Sequence, residues 1–173
     1  WVPHYHCHRL VKRYKGNYQV HHLACWDQFL CRAFAQRTYR ESLRDSEACL
    51  RSRANLLYPL GIRGNVARRN VADANAQRDG RIYADLAQWL MARARKRYAP
   101  EDRGVDWDGT LEALDSTTID RCLTLFPWAR FGRHQAAVKR HTLLDLRGAI
   151  PTLIRLTEGK WHAVPFLDEL IWE

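Results

Sequence analysis

The chain has 173 residues, 46% of them hydrophobic and 27% charged, the balance of one globular domain or two small ones. No run of about 18 apolar residues occurs, so the sequence holds no membrane-spanning helix. Its formal net charge of +9 is lopsided: residues 1–98 carry 19 Lys and Arg against 7 Asp and Glu, whereas residues 99–173 carry 9 against 12.

A basic first half points to a polyanionic partner. Of the 28 cations only Lys12, Lys15, Lys96, Lys139 and Lys160 are lysines, and the rest are arginines. The arginine fork fits phosphate and guanine edges in a way lysine does not. Trp1 stands where Met is usual, as expected of a fragment, and Arg9, Lys12 and Arg13 interrupt any secretion-signal core. The five cysteines, Cys7, Cys25, Cys31, Cys49 and Cys122, are odd in number and lack paired spacing, which argues against a disulfide framework. A reducing, cytoplasmic setting is expected.

Helical patterns fill the first half. Leu23, Trp26, Phe29, Leu30, Ala33 and Phe34 recur at helical spacing and predict a helix over 23–36. A second is predicted over 40–53. Tyr58-Pro59-Leu60-Gly61 breaks the pattern, and Gly64 follows. A short helix is predicted over 68–77. Asp79 is placed to cap a longer one over 80–98, with Ile82, Leu86, Trp89 and Leu90 on one face. Short helices joined by Gly-containing turns are compatible with a helix-turn-helix DNA-binding unit. A loop over 99–109 carries Pro100, Gly104, Gly109 and four acids. Beyond it the period shifts towards two. Strands are predicted over 111–114, ending at Asp115, then 138–146 and 150–156, the last two joined by a turn at Arg147-Gly148. Pro165 is suited to open a helix over 166–171.

Three groups of residues carry candidate chemistry. Asp115, followed by Ser116, Thr117 and Thr118, reads either as a strand-borne ligand for a hard cation or as a turn carboxylate bonding its own backbone. Arg63, Arg68, Arg69 and Asn70 cluster at a helix start, the arrangement that meets DNA phosphates and base edges. Arg93, Arg95, Lys96 and Arg97 are read as complementing a helix C-terminus, and Lys139 either as a phosphate contact or as a solvated strand lysine. The third group is His4, His6, Cys7, His8, His21, His22 and Cys25. They are zinc-ligand types, but their spacing matches no compact zinc pattern on an extended terminus. Trp128 is read as core, with base stacking as the alternative.

Longer segments have a shared likeness. Ala113-Leu114-Asp115-Ser116-Thr117-Thr118-Ile119-Asp120, Leu125-Phe126-Pro127-Trp128-Ala129 and Lys139-Arg140-His141-Thr142-Leu143-Leu144-Asp145-Leu146-Arg147-Gly148 resemble bacterial insertion-sequence transposases of the DDE type. Cys25-Trp26-Asp27-Gln28-Phe29-Leu30, Thr38-Tyr39-Arg40-Glu41-Ser42-Leu43-Arg44-Asp45, Gly61-Ile62-Arg63-Gly64 and Ala72-Asp73-Ala74-Asn75 resemble the helical N-terminal domain of one branch of that family. The likeness runs from about Leu10 to Glu169. It implies an RNase H-like catalytic domain in which two Asp and one Glu hold two divalent ions, Mg2+ or Mn2+, at a phosphodiester. Asp115 matches the first Asp. Asp145, Asp168 and Glu169 match neither of the others, so this chain alone is expected to bind no metal stably and to cleave no DNA. Arg140 stands where an apolar residue is usual, Ala163 where an Asp is, and Ala67 and Arg69 where serines are.

The resulting expectation is an α+β chain. A helical, helix-turn-helix-like DNA-binding domain covers 1–98, an acidic linker 99–109, and the first strands of a truncated RNase H-like domain 110–173. The implied partner is double-stranded DNA at inverted-repeat ends, with a homodimer or synaptic complex and neither a membrane nor a small-molecule substrate. The alternative is a non-enzymatic DNA-binding module or a vestigial gene product.

Overall fold

A computed structural model describes residues 3–64, 66–98, 112–122, 135–146 and 149–160. Six helices precede a three-stranded antiparallel sheet among these residues, an α+β fold with a helical N-terminal part. The chain forms two compact units, 1–87 and 88–173, divided within the last helix.

The first unit is built on helices α1 (His4–Arg13), α2 (Cys25–Arg37), α3 (Leu43–Ser52), α4 (Ala54–Leu57), α5 (Arg68–Gln77) and the start of α6 (Arg81–Tyr98). The terminus expected to be extended is therefore helical. Cys7, Leu10 and Val11 recur at helical spacing and are buried, so apolar burial decides the conformation of the histidine-rich segment. The helices expected over 23–36, 40–53 and 80–98 form with ends shifted by at most three residues, and the one expected over 68–77 has those limits. The four-residue α4 precedes the Pro59-Gly61 break.

Local chemistry sets the helix ends. The Ser42 hydroxyl accepts the Asp45 N–H at 3.0 Å and caps α3. The helix expected to be capped by Asp79 begins at Arg81, so Asp79 lies one residue outside the cap position, which is Gly80, and from there its Oδ1 accepts the Arg81 N–H at 2.9 Å. Arg95, Lys96 and Arg97 occupy the last turn of α6, where cations offset the carbonyl end of the helix dipole.

Leu23, Cys31, Leu50, Ile62, Val66, Val71 and Ala74 form one buried cluster, with Leu30, Phe34, Leu43 and Leu57 against it. Gly16 lies where a side chain has no room: a Cβ there would overlap Ile82 Cδ1 and stand 2.8 Å from the Cys25 sulfur. The buried cysteines are free and act as small apolar groups. Burial raises the thiol pKa of Cys7 and of Cys31 to about 11, and that of Cys25 also rises.

The second unit holds β1 (Glu112–Cys122), β2 (Gln135–Asp145) and β3 (Ile150–Glu158), in the order β1-β2-β3. Ser116 pairs with His141, Asp115 with Thr142, and Thr117 with Arg140. His141 in turn faces Arg155. A bulge interrupts the second pairing between Leu143 and Leu144. The strand expected to end at Asp115 instead continues to Cys122. Thr117, Thr118 and Ile119 are β-branched, and a continuous ladder to β2 engages their backbone groups, so pairing overrides the turn chemistry of Asp-Ser-Thr. The expected linker over 99–109, the helix over 166–171, Trp128 and Ala163 lie outside the described residues.

Candidate functional site

Three neighbourhoods carry the polar chemistry, and each lies within one unit. The first is the start of α5. Ala67, the residue before the helix, offers no side-chain acceptor, so the first N–H groups of α5 go without a cap. Arg68 and Arg69 project from this end and are exposed. Arg69 pairs one turn along its helix with Asp73 at 3.7 Å, but with side chains 91% and 56% exposed this bond is worth little. Asn70 is half-buried and lines a cleft of about 450 Å³ between α5 and the 14–23 segment. Arg63 enters from the loop before α5. Its backbone N–H is held by Asp27 Oδ1 at 2.9 Å, and its exposed guanidinium lies 4.7 Å from the centroid of the Tyr58 ring.

Asp27 sets up that loop. It is the third residue of α2, buried, and its carboxylate accepts the N–H groups of both Ala24 and Arg63. It thus ties the start of α2 to the segment carrying Arg63. A Cβ on Gly64 would stand 2.9 Å from Asp27 Oδ2 and 2.7 Å from the His22 carbonyl oxygen, which explains the glycine there.

The second neighbourhood lies between α2, α5 and the start of α6. Gln28 is buried, and its Oε1 accepts from the Tyr83 hydroxyl at 2.6 Å and from Arg78 Nη1 at 2.7 Å. Its Nε2 donates to Asn75 Oδ1 at 2.7 Å, which also accepts Arg32 Nε at 3.2 Å. Arg78 donates further to the Leu23 carbonyl oxygen. Burial raises the Tyr83 phenol pKa, so the ring stays a neutral donor. Sequence reading passed over this cluster. Its members are spread from position 23 to 83 and share no periodicity; the only available signal was polar residues standing inside helices otherwise patterned for burial.

The third neighbourhood is the sheet. Asp115 stands mid-strand on β1 with its side chain 63% exposed. The Thr117 hydroxyl donates to Asp115 Oδ2 at 2.8 Å, and Arg140 Nη2 lies 3.7 Å from the same oxygen. Side chains alternate across a sheet, so Asp115, Thr117 and Arg140 share one face, and Ser116, His141 and Lys139 the other. Lys139 is half-buried and is not brought to the Asp115 face. On that other face His141 is fully buried, with Nδ1 2.6 Å from Ser116 Oγ and Nε2 2.9 Å from Thr157 Oγ1. Burial is the largest cause lowering its pKa, with the nearby Lys139 and Arg155 cations adding to it.

The zinc-type residues do not converge. His4 and His8 stack one helical turn apart at 6.1 Å while Cys7 faces the core. Among the described residues no group of three His, Cys, Asp or Glu is placed to hold a metal ion. Asp115 is thus a suitable hard-oxygen ligand type without companions there. Nor is any helix of the described residues long and apolar enough to cross a membrane.

No curated protein and no solved structure matches the chain. Residues 1–63, which span α1 to α4 and end at Arg63, match the family described as "Domain of unknown function (DUF4372)".

Proposed function

We propose that this chain is part of a DNA transposase of the DDE type. Its helical half binds duplex DNA at the ends of a mobile element, and its sheet is the opening of an RNase H-like catalytic domain. The observation that carries this reading is the setting of Asp115: an exposed carboxylate held mid-strand on the first of three antiparallel strands. A ladder-bound strand fixes a ligand more rigidly than a turn does, and rigid placement beside a phosphate is what metal-assisted phosphodiester chemistry asks of a carboxylate. The excess of basic over acidic residues in 1–98 supports a DNA partner, as do the exposed Arg63, Arg68 and Arg69 around the uncapped start of α5.

In such an enzyme Mg2+ or Mn2+ supplies the charge that activates the attacking oxygen and stabilises the leaving one. The described residues contribute one carboxylate to that site and do not complete it, so no cleavage step is assigned to them. Arg63, Arg68 and Arg69 are assigned to phosphates, and Asn70 to a base edge or sugar.

Fluorescence anisotropy of the whole chain with a labelled duplex, repeated across a salt series, tests the reading. Affinity should fall steeply with salt, and replacing both Arg68 and Arg69 by Ala should flatten the logarithmic slope by about 2, one per lost phosphate contact. Asp115→Ala should bind as tightly as the parent. A salt-independent affinity, or no binding at low salt, would remove DNA as the partner.

A further inference from the structure

A cleft of about 360 Å³ opens between α2, α5 and the start of α6, bordered by Gln28, Arg32, Asn75, Arg78, Gly80 and Tyr83. Two of these are guanidinium groups, and no acid lines the cleft. All of these residues belong to the helical unit.

Arg78 is the informative one. Its terminal nitrogens donate to two neutral oxygens, those of Gln28 and of the Leu23 backbone. Its Nε is buried and has no hydrogen-bond partner. Among the described residues neither Arg78 nor Arg32 forms an ion pair, whereas other arginines of the unit do: Arg81 with Asp79, Arg69 with Asp73, Arg13 with Asp85. A part-buried guanidinium without a counter-charge is costly, and an anion placed beside it would offset that cost. Arg32 is exposed at the rim of the cleft and is held there by Nε, which leaves its terminal nitrogens open to solvent. The amide oxygens of Gln28 and Asn75 accept from these two guanidiniums and orient them.

Gly80 supplies the opening. A Cβ built there meets nothing within 4 Å, so the mouth of the cleft is bare. Gly80 also precedes α6, and its carbonyl accepts the N–H groups of Tyr83 and Ala84.

We propose that this cleft binds a phosphoryl group, with Arg32 and Arg78 as its cationic walls. Forked N–H donors match the oxygens of a tetrahedral phosphate, and the neutral lining leaves the anion without a competing charge. The phosphate belongs either to a DNA backbone, which rests on the DNA reading above, or to a free phosphate or phosphate ester, which does not.

The test is calorimetric titration of the whole chain with inorganic phosphate at constant ionic strength, with and without duplex DNA. Arg32→Gln removes one fork while keeping an amide. Gly80→Asp puts a carboxylate at the mouth, and Asp is favoured at the residue before a helix, so this variant should fold with a melting temperature at or above the parent's. Phosphate should bind saturably, and each variant should weaken it about tenfold, as expected for a lost or opposed charge-assisted bond. If the duplex displaces phosphate and Gly80→Asp also weakens duplex binding, the backbone is the source. If phosphate binds but the duplex does not displace it, the site stands with a free phosphate or ester as its ligand, whatever becomes of the DNA reading. No saturable binding by the parent, or an affinity unchanged in both variants, overturns the proposal.

Discussion

The helical unit and the sheet are held together by different means. In the helices, buried Leu23, Leu50, Ile62, Val71, Ile82 and Leu86 come from segments far apart in the chain, and polar groups such as Asp27 and Gln28 are buried only with partners. In the described part of the sheet the buried side chains are Ala137, Val138 and His141, while Ile154 and Leu156 stand exposed. The sheet is held by its backbone ladder and by a histidine bonded to a hydroxyl on each flanking strand. Side-chain packing stabilises the first region, and backbone pairing the second. A substitution of one kind should therefore have unequal effects in the two.

The widest gap is expected for apolar truncation. Leu50→Ala, at a position 1% exposed, should cost about 2–5 kcal/mol through lost burial and the cavity left behind. Leu156→Ala, at 58% exposure, should stay within about 0.5 kcal/mol. Thermal or urea unfolding measures both, and equal losses would mean that the exposed strand residues are packed in solution.

A smaller gap separates the two key carboxylates. Asp27→Ala leaves the N–H groups of Ala24 and Arg63 without their charged acceptor and should cost about 2 kcal/mol. Asp115→Ala removes an exposed side chain whose nearest cation is 3.7 Å away and should change stability by less than about 0.5 kcal/mol. A large destabilisation by Asp115→Ala would make that residue structural and weaken its reading as a metal ligand.

The smallest expected effect is a pH dependence confined to the sheet. The folded pKa of His141 lies below its unfolded value of about 6.5, so the unfolded chain binds the proton more readily. The stability His141 contributes is present above about pH 6.5 and is lost as pH falls towards the folded value. Hydrogen exchange at the backbone of 138–142 should quicken, relative to the intrinsic rate, between pH 7.5 and 5. His141→Gln should flatten that response. An unchanged response in the variant would place the titrating group elsewhere.

Much of the fold was legible from local patterns. Apolar spacing located α2, α3, α5 and α6, Asp79 marked the approach to α6, and the shift to a period of two located β2, β3 and the start of β1. Asp115 was visible as a candidate because a carboxylate followed by small hydroxyl residues is locally distinctive. Its setting was not visible: a turn and a strand are both open to Asp-Ser-Thr, and only the partner strand decides between them. The histidine-rich N-terminus misled for the same reason, since its three buried apolar residues take effect only once there is a core to bury them.

Charge, helix spans and the run of strands are properties of neighbours along the chain, and the sequence by itself determined them. The meeting of Gln28, Arg32, Asn75, Arg78 and Tyr83, the hold of Asp27 on Arg63, and the placing of His141 between Ser116 and Thr157 were decided only by the tertiary structure. Periodicity reports which face of an element is apolar. It carries no information on which polar atoms, tens of residues apart, will lose water together and need one another as partners.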